Sequence, residues 1–304
     1  MSTRKKAIIL FNLGGPDSPD AVKPFLFNLF NDVAIIGLPN PFRWMLAKFI
    51  AWRRTPTAQH IYAQIGGASP ILSETQKQSA ALQDALGDAA IFRVFTVMRY
   101  WRPQADEVAE QVKEFAPDDV VLLPLYPQFS TTTTGSSFKD WHRAARRQGI
   151  NVPTRLICCY PTQTGWAQAQ ADALQAKIES WDSAVPYRVL FSAHGLPEKT
   201  IAAGDPYQWQ IEQSAAAIAA AANLDTANWM VCYQSRVGPL KWIGPSLDTA
   251  LAQAAEDKVA VIVLPIAFVS EHSETLVELD IEYAERAKQL DVPGYHRVPA
   301  IGAA

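Results

Sequence analysis

VAVIVLPI, residues 259–266, decides how this chain folds. Every side chain in it is apolar, and five of the eight are β-branched. A strand with one wet face alternates apolar and polar residues; one that is apolar throughout is buried on both faces, as in a parallel sheet between helical layers. Six further runs resemble it: AIILFNL (7–13), IFRVFTV (91–97), VVLLPLY (120–126), TRLICCY (154–160), YRVLFSA (187–193) and WMVCYQS (229–235). Longer Ala-, Gln- and Glu-rich segments of helical period lie between them, such as IEQSAAAIAAAANL (211–224). Strand alternating with helix means βαβ units, so the expected class is α/β with doubly wound parallel sheets.

A faint internal repeat divides the chain. LFNLGGP (10–16) pairs with LFSAHGLP (190–197), and VVLLPLYPQFS (120–130) with VAVIVLPIAFVS (259–270). Each half is expected to be a small parallel sheet, the two joining between residues 160 and 180. The 304 residues can bury a core of that size; 49% are apolar and the formal net charge is −3. No basic run suggests a nucleic-acid partner. The basic-then-apolar start, MSTRKKAIILFNLGGP, has too short an apolar run for a signal peptide and reads as a first strand. No stretch approaches the roughly 18–20 apolar residues of a membrane span. The cysteines, Cys158, Cys159 and Cys232, are odd in number and lack C-x-x-C spacing, which argues against a disulfide framework or zinc site and for a reducing cytoplasm.

In such sheets ligands bind at the carboxyl ends of strands. The loops there are NLGGPDSP, MRYWRP, YPQFSTTTTGSS, SAHGLP, YQSRVGPLKW and AFVSEHSETL. NLGGPDSP lacks the third glycine of a dinucleotide fingerprint, and TTTTGSS reads equally as an anion loop or a turn. His194 leaves a strand in SAHG; such a residue is either structural or, with His272 and a nearby carboxylate, a proton acceptor or metal ligand.

The stretch SEHSETLVELDIEYAE (270–285) carries Glu271, Glu274, Glu278, Glu282 and Glu285 at helical spacing, which predicts one acidic face, with Ser270 as N-cap. Like charges so spaced repel. The face is either a solvated surface or a ladder of oxygen ligands and proton carriers; the absence of any basic residue from 271 to 285 favours the ladder. IIGLPNPFRWMLAKFIAWRRTP (35–56) reads either as a core helix or as an apolar lip for a large flat ligand with anionic groups, with residues 36–52 touching a membrane surface.

These loops together resemble the ferrochelatase family. The matching pieces are LFNLGGPDSP, RRTP with YAQIGGASPI, YPQFSTTTTGSS, LFSAHGLP, GDPYQWQ, YQSRVGPLKWIGPSL and AFVSEHSETLVELDIEY, in family order from residue 10 to residue 283. The resemblance implies two Rossmann-like domains, residues 1–165 with the lip at about 36–54 and residues 166–304, with the active-site cleft between them and the second domain ending before the family's final helix. It implies insertion of Fe2+ into protoporphyrin IX with release of two protons, Fe2+ being substrate and no cofactor being required. By the same match His194 and Glu274 are the catalytic and metal-binding pair, and Glu271, His272, Glu278 and Glu282 form the metal and proton path. Arg54, Tyr62 and Ser69 would hold the propionates, and Leu13, Arg99, Tyr100 and Trp242 would line the macrocycle. Glu271 replaces the usual Asp, and Leu13 stands where coproporphyrin-using members often have Tyr. No iron–sulfur cluster is expected for this chain, although Cys158 leaves another arrangement open. The expected location is the cytoplasm, with peripheral membrane contact through residues 36–52. Two alternatives stand beside this: a non-catalytic tetrapyrrole or metal carrier, which needs no acidic relay, and a chelatase for another metal or porphyrin.

Overall fold

In the computed structural model, which describes residues 4–181, 184–236 and 238–303, the chain divides into two compact units, one up to Cys159 and one from Tyr160 to Gly302. In the first unit, strand β1 (Lys6–Asn12) is followed by helices α1 (Val22–Phe30), α2 (Phe42–Ala63) and α3 (Ile71–Leu86). Then come β2 (Phe92–Met98), α4 (Ala105–Phe115), β3 (Asp119–Pro124), α5 (Thr134–Gln148) and β4 (Thr154–Leu156). All pairings are parallel, in the order β2-β1-β3-β4, with Ile9 in register with Phe95 and Leu122. α4 buries Ala105, Val108, Ala109, Val112 and Phe115, the i, i+3, i+4 stripe of an amphipathic helix, and starts in a capping box of Gln104 and Glu107. Trp141 of α5 meets Phe11 edge-on at 6.2 Å, which locks the helix layer to the central strand.

The second unit repeats this plan. α6 (Thr164–Glu179) precedes β5 (Tyr187–His194), α7 (Glu198–Ala202), α8 (Tyr207–Ala221) and β6 (Trp229–Gln234). α9 (Leu247–Glu256), β7 (Ala260–Pro265), a π-helix (Glu274–Tyr283), α10 (Ala284–Gln289) and β8 (Tyr295–Arg297) complete it. Its strand order, β6-β5-β7-β8, is that of the first unit shifted by four. The sequence repeat therefore has a structural counterpart: LFNLGGP and LFSAHGLP each leave the second strand in their sheet's order, and the two LP-containing runs form the third.

All six residues of β7 are buried, as expected of a strand between two helix layers. TRLICCY differs. Only Thr154–Leu156 pair, at the sheet edge, and all three are exposed; Cys158 is exposed as well. An edge strand has one neighbour, so its apolar content does not imply burial. β8 was not foreseen, because three residues rich in polar character carry no periodic signal.

The largest departure is the acidic segment. Its helix begins at Glu274, not after Ser270; Ser273 makes no side-chain cap, and Thr275 Oγ1 instead accepts the His272 N–H at 3.0 Å. Its first ten residues are π-helical, with turns closing at i→i+5. Turns of more than four residues keep Glu274, Glu278 and Glu282, each four apart, close to one line, whereas Glu271 precedes the helix and Glu285 lies in α10. A basic partner comes from outside the segment: Arg297 of β8 binds Glu271 at 2.8 Å and Asp280 at 2.6 and 2.7 Å.

Candidate active site

His194 and Gln234 end the paired strands β5 and β6 in register, at the carboxyl edge where parallel sheets offer ligand sites. Beyond β6 the chain turns through Ser235 at φ +59°, a left-handed conformation uncommon for a residue with a Cβ. That turn aims both the N–H and the hydroxyl of Ser235 at the π-helix. The N–H donates to Glu278 Oε1 at 2.7 Å, and Oγ lies 2.5 Å from Glu278 Oε2 and 3.2 Å from Glu274 Oε2. Gln234 Nε2 donates to Glu278 Oε2 at 3.1 Å and to the Glu274 carbonyl at 3.0 Å. Ser192 donates to Gln234 Oε1 at 2.7 Å, which fixes the amide so that its N–H2 faces Glu278. Glu274 Oε2 meets His194 Nδ1 at 2.8 Å, leaving Nε2 as the imidazole's other nitrogen.

The electrostatics separate the two carboxylates. Burial opposes ionisation of Glu274, but His194, with help from His272 and Ser235, outweighs it and brings the carboxyl down to about 2. Burial likewise opposes the His194 cation, yet the Glu274 charge and hydrogen bond, then Glu278, hold the imidazole above its ordinary value. Glu278 goes the other way: burial and then the neighbouring Glu274 charge raise it. An ion pair thus stands beside a carboxyl that holds its proton more readily. Such divergence marks groups suited to binding a cation and passing a proton.

The other expected path residues are placed differently. Glu271 pairs with Arg297 and accepts the Ala300 N–H at 2.9 Å; burial opposes its ionisation, but Thr275, Arg297 and Ala300 hold it below its ordinary value. His272 is buried against Phe268, and burial lowers its affinity for a proton. Glu282 is exposed. Among the described residues no cluster of three or more His, Cys, Asp or Glu has metal-binding geometry; His194 and Glu274 offer two donors. Trp242 lies beside Gly195, where an added Cβ would meet its Cε3 at 3.5 Å and the Gln234 carbonyl at 3.1 Å.

In the first unit, Leu13, Tyr62 and Tyr100 join one apolar cluster with Val22, Phe25 and Ala51. Tyr100 is fully buried, so it backs this wall without presenting a surface of its own. Gly14, at φ +83°, lets the chain pass Met98 and Trp101, where a Cβ would come within 3.0 and 3.1 Å. Ser69 stands against Gly15, Arg54 is exposed 5.6 Å above the Phe30 ring, and Arg99 pairs with Asp32 at 2.8 Å. α2 is no core helix: it buries only Ala47, Ala51 and Tyr62, while Phe42 and Trp52 are 64% and 62% exposed. Arg43 is not free to meet an anion, because it donates to the carbonyls of Asn31 and Leu38 at 2.9 and 2.8 Å.

Sequence reasoning missed Gln234, Ser235 and Tyr207, whose phenol oxygen is hydrogen-bonded to the His194 backbone. The polar Gln-Ser pair ending an otherwise apolar strand was the available signal for the first two.

Comparison with known proteins gives the family. The ferrochelatase family model matches residues 5–304. A ferrochelatase of Caulobacter vibrioides is 54% identical over 99% of this chain and 87% of its own length. One from a Wolbachia of Drosophila simulans is 51% identical over 98% and 94%, and one from Pelagibacter ubique 50% over 98% and 87%. Among solved structures, SirB from Bacillus subtilis with Fe3+ superposes with a TM-score of 0.55 at 12% identity, covering 98% of this chain and 89% of that one, a likeness of fold. With a family model spanning nearly its whole length and relatives this similar, the chain belongs to the ferrochelatase family.

Proposed function

We propose that this chain performs the terminal step of haem synthesis, insertion of Fe2+ into protoporphyrin IX with loss of two protons, through His194 and Glu274. The observation that carries the residue assignment is the ion pair between them at 2.8 Å with Glu278 held beside it on Ser235. Carboxylate and imidazole suit a divalent cation entering the ring. A proton leaving a pyrrole nitrogen needs an acceptor; once Glu274 turns to the metal, His194 passes the proton it holds in the ion pair to the neighbouring Glu278 and is then free to take the pyrrole's. Glu278, raised in pKa and sharing Ser235 with Glu274, is the next carrier; Glu282, exposed further along the π-helix, gives it onward to water. Glu271 and His272 brace the start of that path.

The porphyrin contacts in this reading are those of the family resemblance. Arg54, Tyr62 and Ser69 hold the propionates, Arg54 by charge-assisted hydrogen bonds. Leu13, Arg99, backed by Tyr100, and Trp242 line the macrocycle. The exposed apolar side chains of α2 extend this surface, and residues 36–52 dock it on a membrane surface on the cytoplasmic side. No helix among the described residues is long and apolar enough to cross a membrane. Fe2+ enters as substrate, and the reading uses neither a resident cofactor nor an iron–sulfur cluster.

A carrier on the same fold would need a metal or ring ligand but no proton path, and the Gln234–Ser235–Glu278 arrangement argues against it. Anaerobic incubation with Fe2+ and protoporphyrin IX separates the two. Loss of porphyrin fluorescence with catalytic formation of haem is the expected result; tight porphyrin binding without turnover would contradict it.

A further inference from the structure

We propose that Asp32 is a positioning residue for the porphyrin site, tying the Arg99 wall to the start of the apolar segment that runs from Val33 into α2. The inference rests on the proposed role of Arg99 and that segment in holding porphyrin. Asp32 lies in the loop after α1 with its side chain 5% exposed. Its Oδ2 accepts from Arg99 Nη2 at 2.8 Å, from the Tyr100 hydroxyl at 2.9 Å and from the Ser136 hydroxyl. Arg99 Nε in turn donates to Ser136 Oγ at 2.7 Å. Three elements of the first unit therefore meet on one carboxylate: the α1 exit, the β2 exit and the first turn of α5.

The same residue shapes the loop that follows. Asp32 Oδ1 accepts the Ala34 N–H at 2.9 Å, and its carbonyl accepts those of Ile35 at 3.1 Å and Ile36 at 2.9 Å. From this turn Val33, Ile35 and Leu38 emerge exposed. A buried carboxylate is costly unless paired and fully hydrogen-bonded, and here the compensating charge is Arg99. The carboxylate thus fixes two things at once, the direction of the Arg99 guanidinium and the origin of the apolar loop. Neither depends on iron, so the effect falls on porphyrin binding and not on metal insertion.

Asp32→Asn tests this, since it keeps the volume and an acceptor for Ala34 but removes the charge and turns an N–H2 toward three donors. Protoporphyrin binding to the full chain is read by fluorescence titration without iron, beside KM for each substrate, kcat and thermal melting. The expected result is a porphyrin Kd and KM raised about tenfold, the loss of one charge-assisted hydrogen bond, with kcat and the KM for Fe2+ changed less than about twofold. Adding Arg99→Gln to Asp32→Asn should weaken porphyrin little further, because the two residues act as a pair. A folded Asp32→Asn protein with unchanged porphyrin affinity would overturn the proposal. Should that variant fail to fold, Ser136→Ala takes its place, with about tenfold weaker porphyrin binding expected from loss of its hydrogen bonds to the charged Asp32 and Arg99 and unchanged binding again decisive against it. Wild-type protein that binds no protoporphyrin would overturn the functional reading itself, whereas normal wild-type binding with an unaffected variant overturns only the role of Asp32.

Discussion

Ser235 and Glu278 are joined twice: the backbone N–H of Ser235 donates to Oε1 at 2.7 Å and its hydroxyl lies 2.5 Å from Oε2. The second carboxylate is thereby held in one orientation beside an ion pair, ready to exchange a proton without moving. Glu278→Gln keeps the shape and loses the proton-carrying group. It should lower kcat about a hundredfold, the scale of one general acid–base step, while protoporphyrin affinity stays as it was. Steady-state kinetics beside a fluorescence titration reads both.

The charge of Glu274 sets its neighbours' proton affinities. Burial lowers His194 and the Glu274 carboxylate raises it more, whereas Glu278 is raised first by burial and then by Glu274. Replacing Glu274 by Gln removes the main factor that raises His194, leaving the lesser Glu278 and the opposing burial, so the imidazole should lose its proton at lower pH than in wild type. Glu278 should titrate lower too. An NMR titration of His194 in metal-free protein checks this, and an unmoved midpoint would count against the pairing.

Stability should fall in acid through carboxylates that are not part of the chemistry. Asp32 and Glu271 are opposed by burial but held below their ordinary values, by Arg99 in one case and mainly by Thr275 and Arg297 in the other. A depressed folded pKa contributes stability that is complete above the unfolded value, about 4 for these groups. It is lost as pH falls from there through the folded values. Arg297→Met should cost about 3 kcal/mol near neutrality, as when one partner of a buried pair is removed, and should flatten the acid limb of a plot of melting temperature against pH.

Much of this molecule is legible in its sequence, and the failures have physical causes. Uniformly apolar runs gave β5 and β7 because those strands lie inside their sheets; the same cue misled at TRLICCY because an edge strand can be apolar and wet. The His194–Glu274 pair was reached through motif resemblance. The type and start of the acidic helix are not legible, since a 3.6-residue period does not announce i→i+5 turns, yet Glu274 and Glu278 still meet on Ser235. Gln234 and Ser235 escaped because their importance lies in a left-handed turn that sequence usually signals with glycine. Asp32 escaped because its three donors come from elements up to 104 residues away.

Side chains exposed on α2 contribute little to folding. Replacing Phe42, Phe49 and Trp52 together by Ser should change stability by less than about 1 kcal/mol, as for surface sites. Flotation with anionic vesicles should nevertheless fall sharply. Unchanged flotation would remove the membrane role from this segment.

Gly15 leaves no room for a side chain: a Cβ there would lie 2.5 Å from Ser69 Cβ and 2.6 Å from its Oγ. Gly15→Ala should displace Ser69, lower stability by about 1–3 kcal/mol through overpacking, and raise KM for protoporphyrin more than KM for Fe2+.

The central claim is that iron insertion is carried out by the His194–Glu274 pair. Its most direct test is anaerobic turnover of Fe2+ and protoporphyrin IX by wild type, His194→Ala and Glu274→Gln, with porphyrin affinity measured on the same preparations. The account predicts that both substitutions abolish haem formation while porphyrin binds with near wild-type affinity. Turnover within a few-fold of wild type in either variant would contradict it.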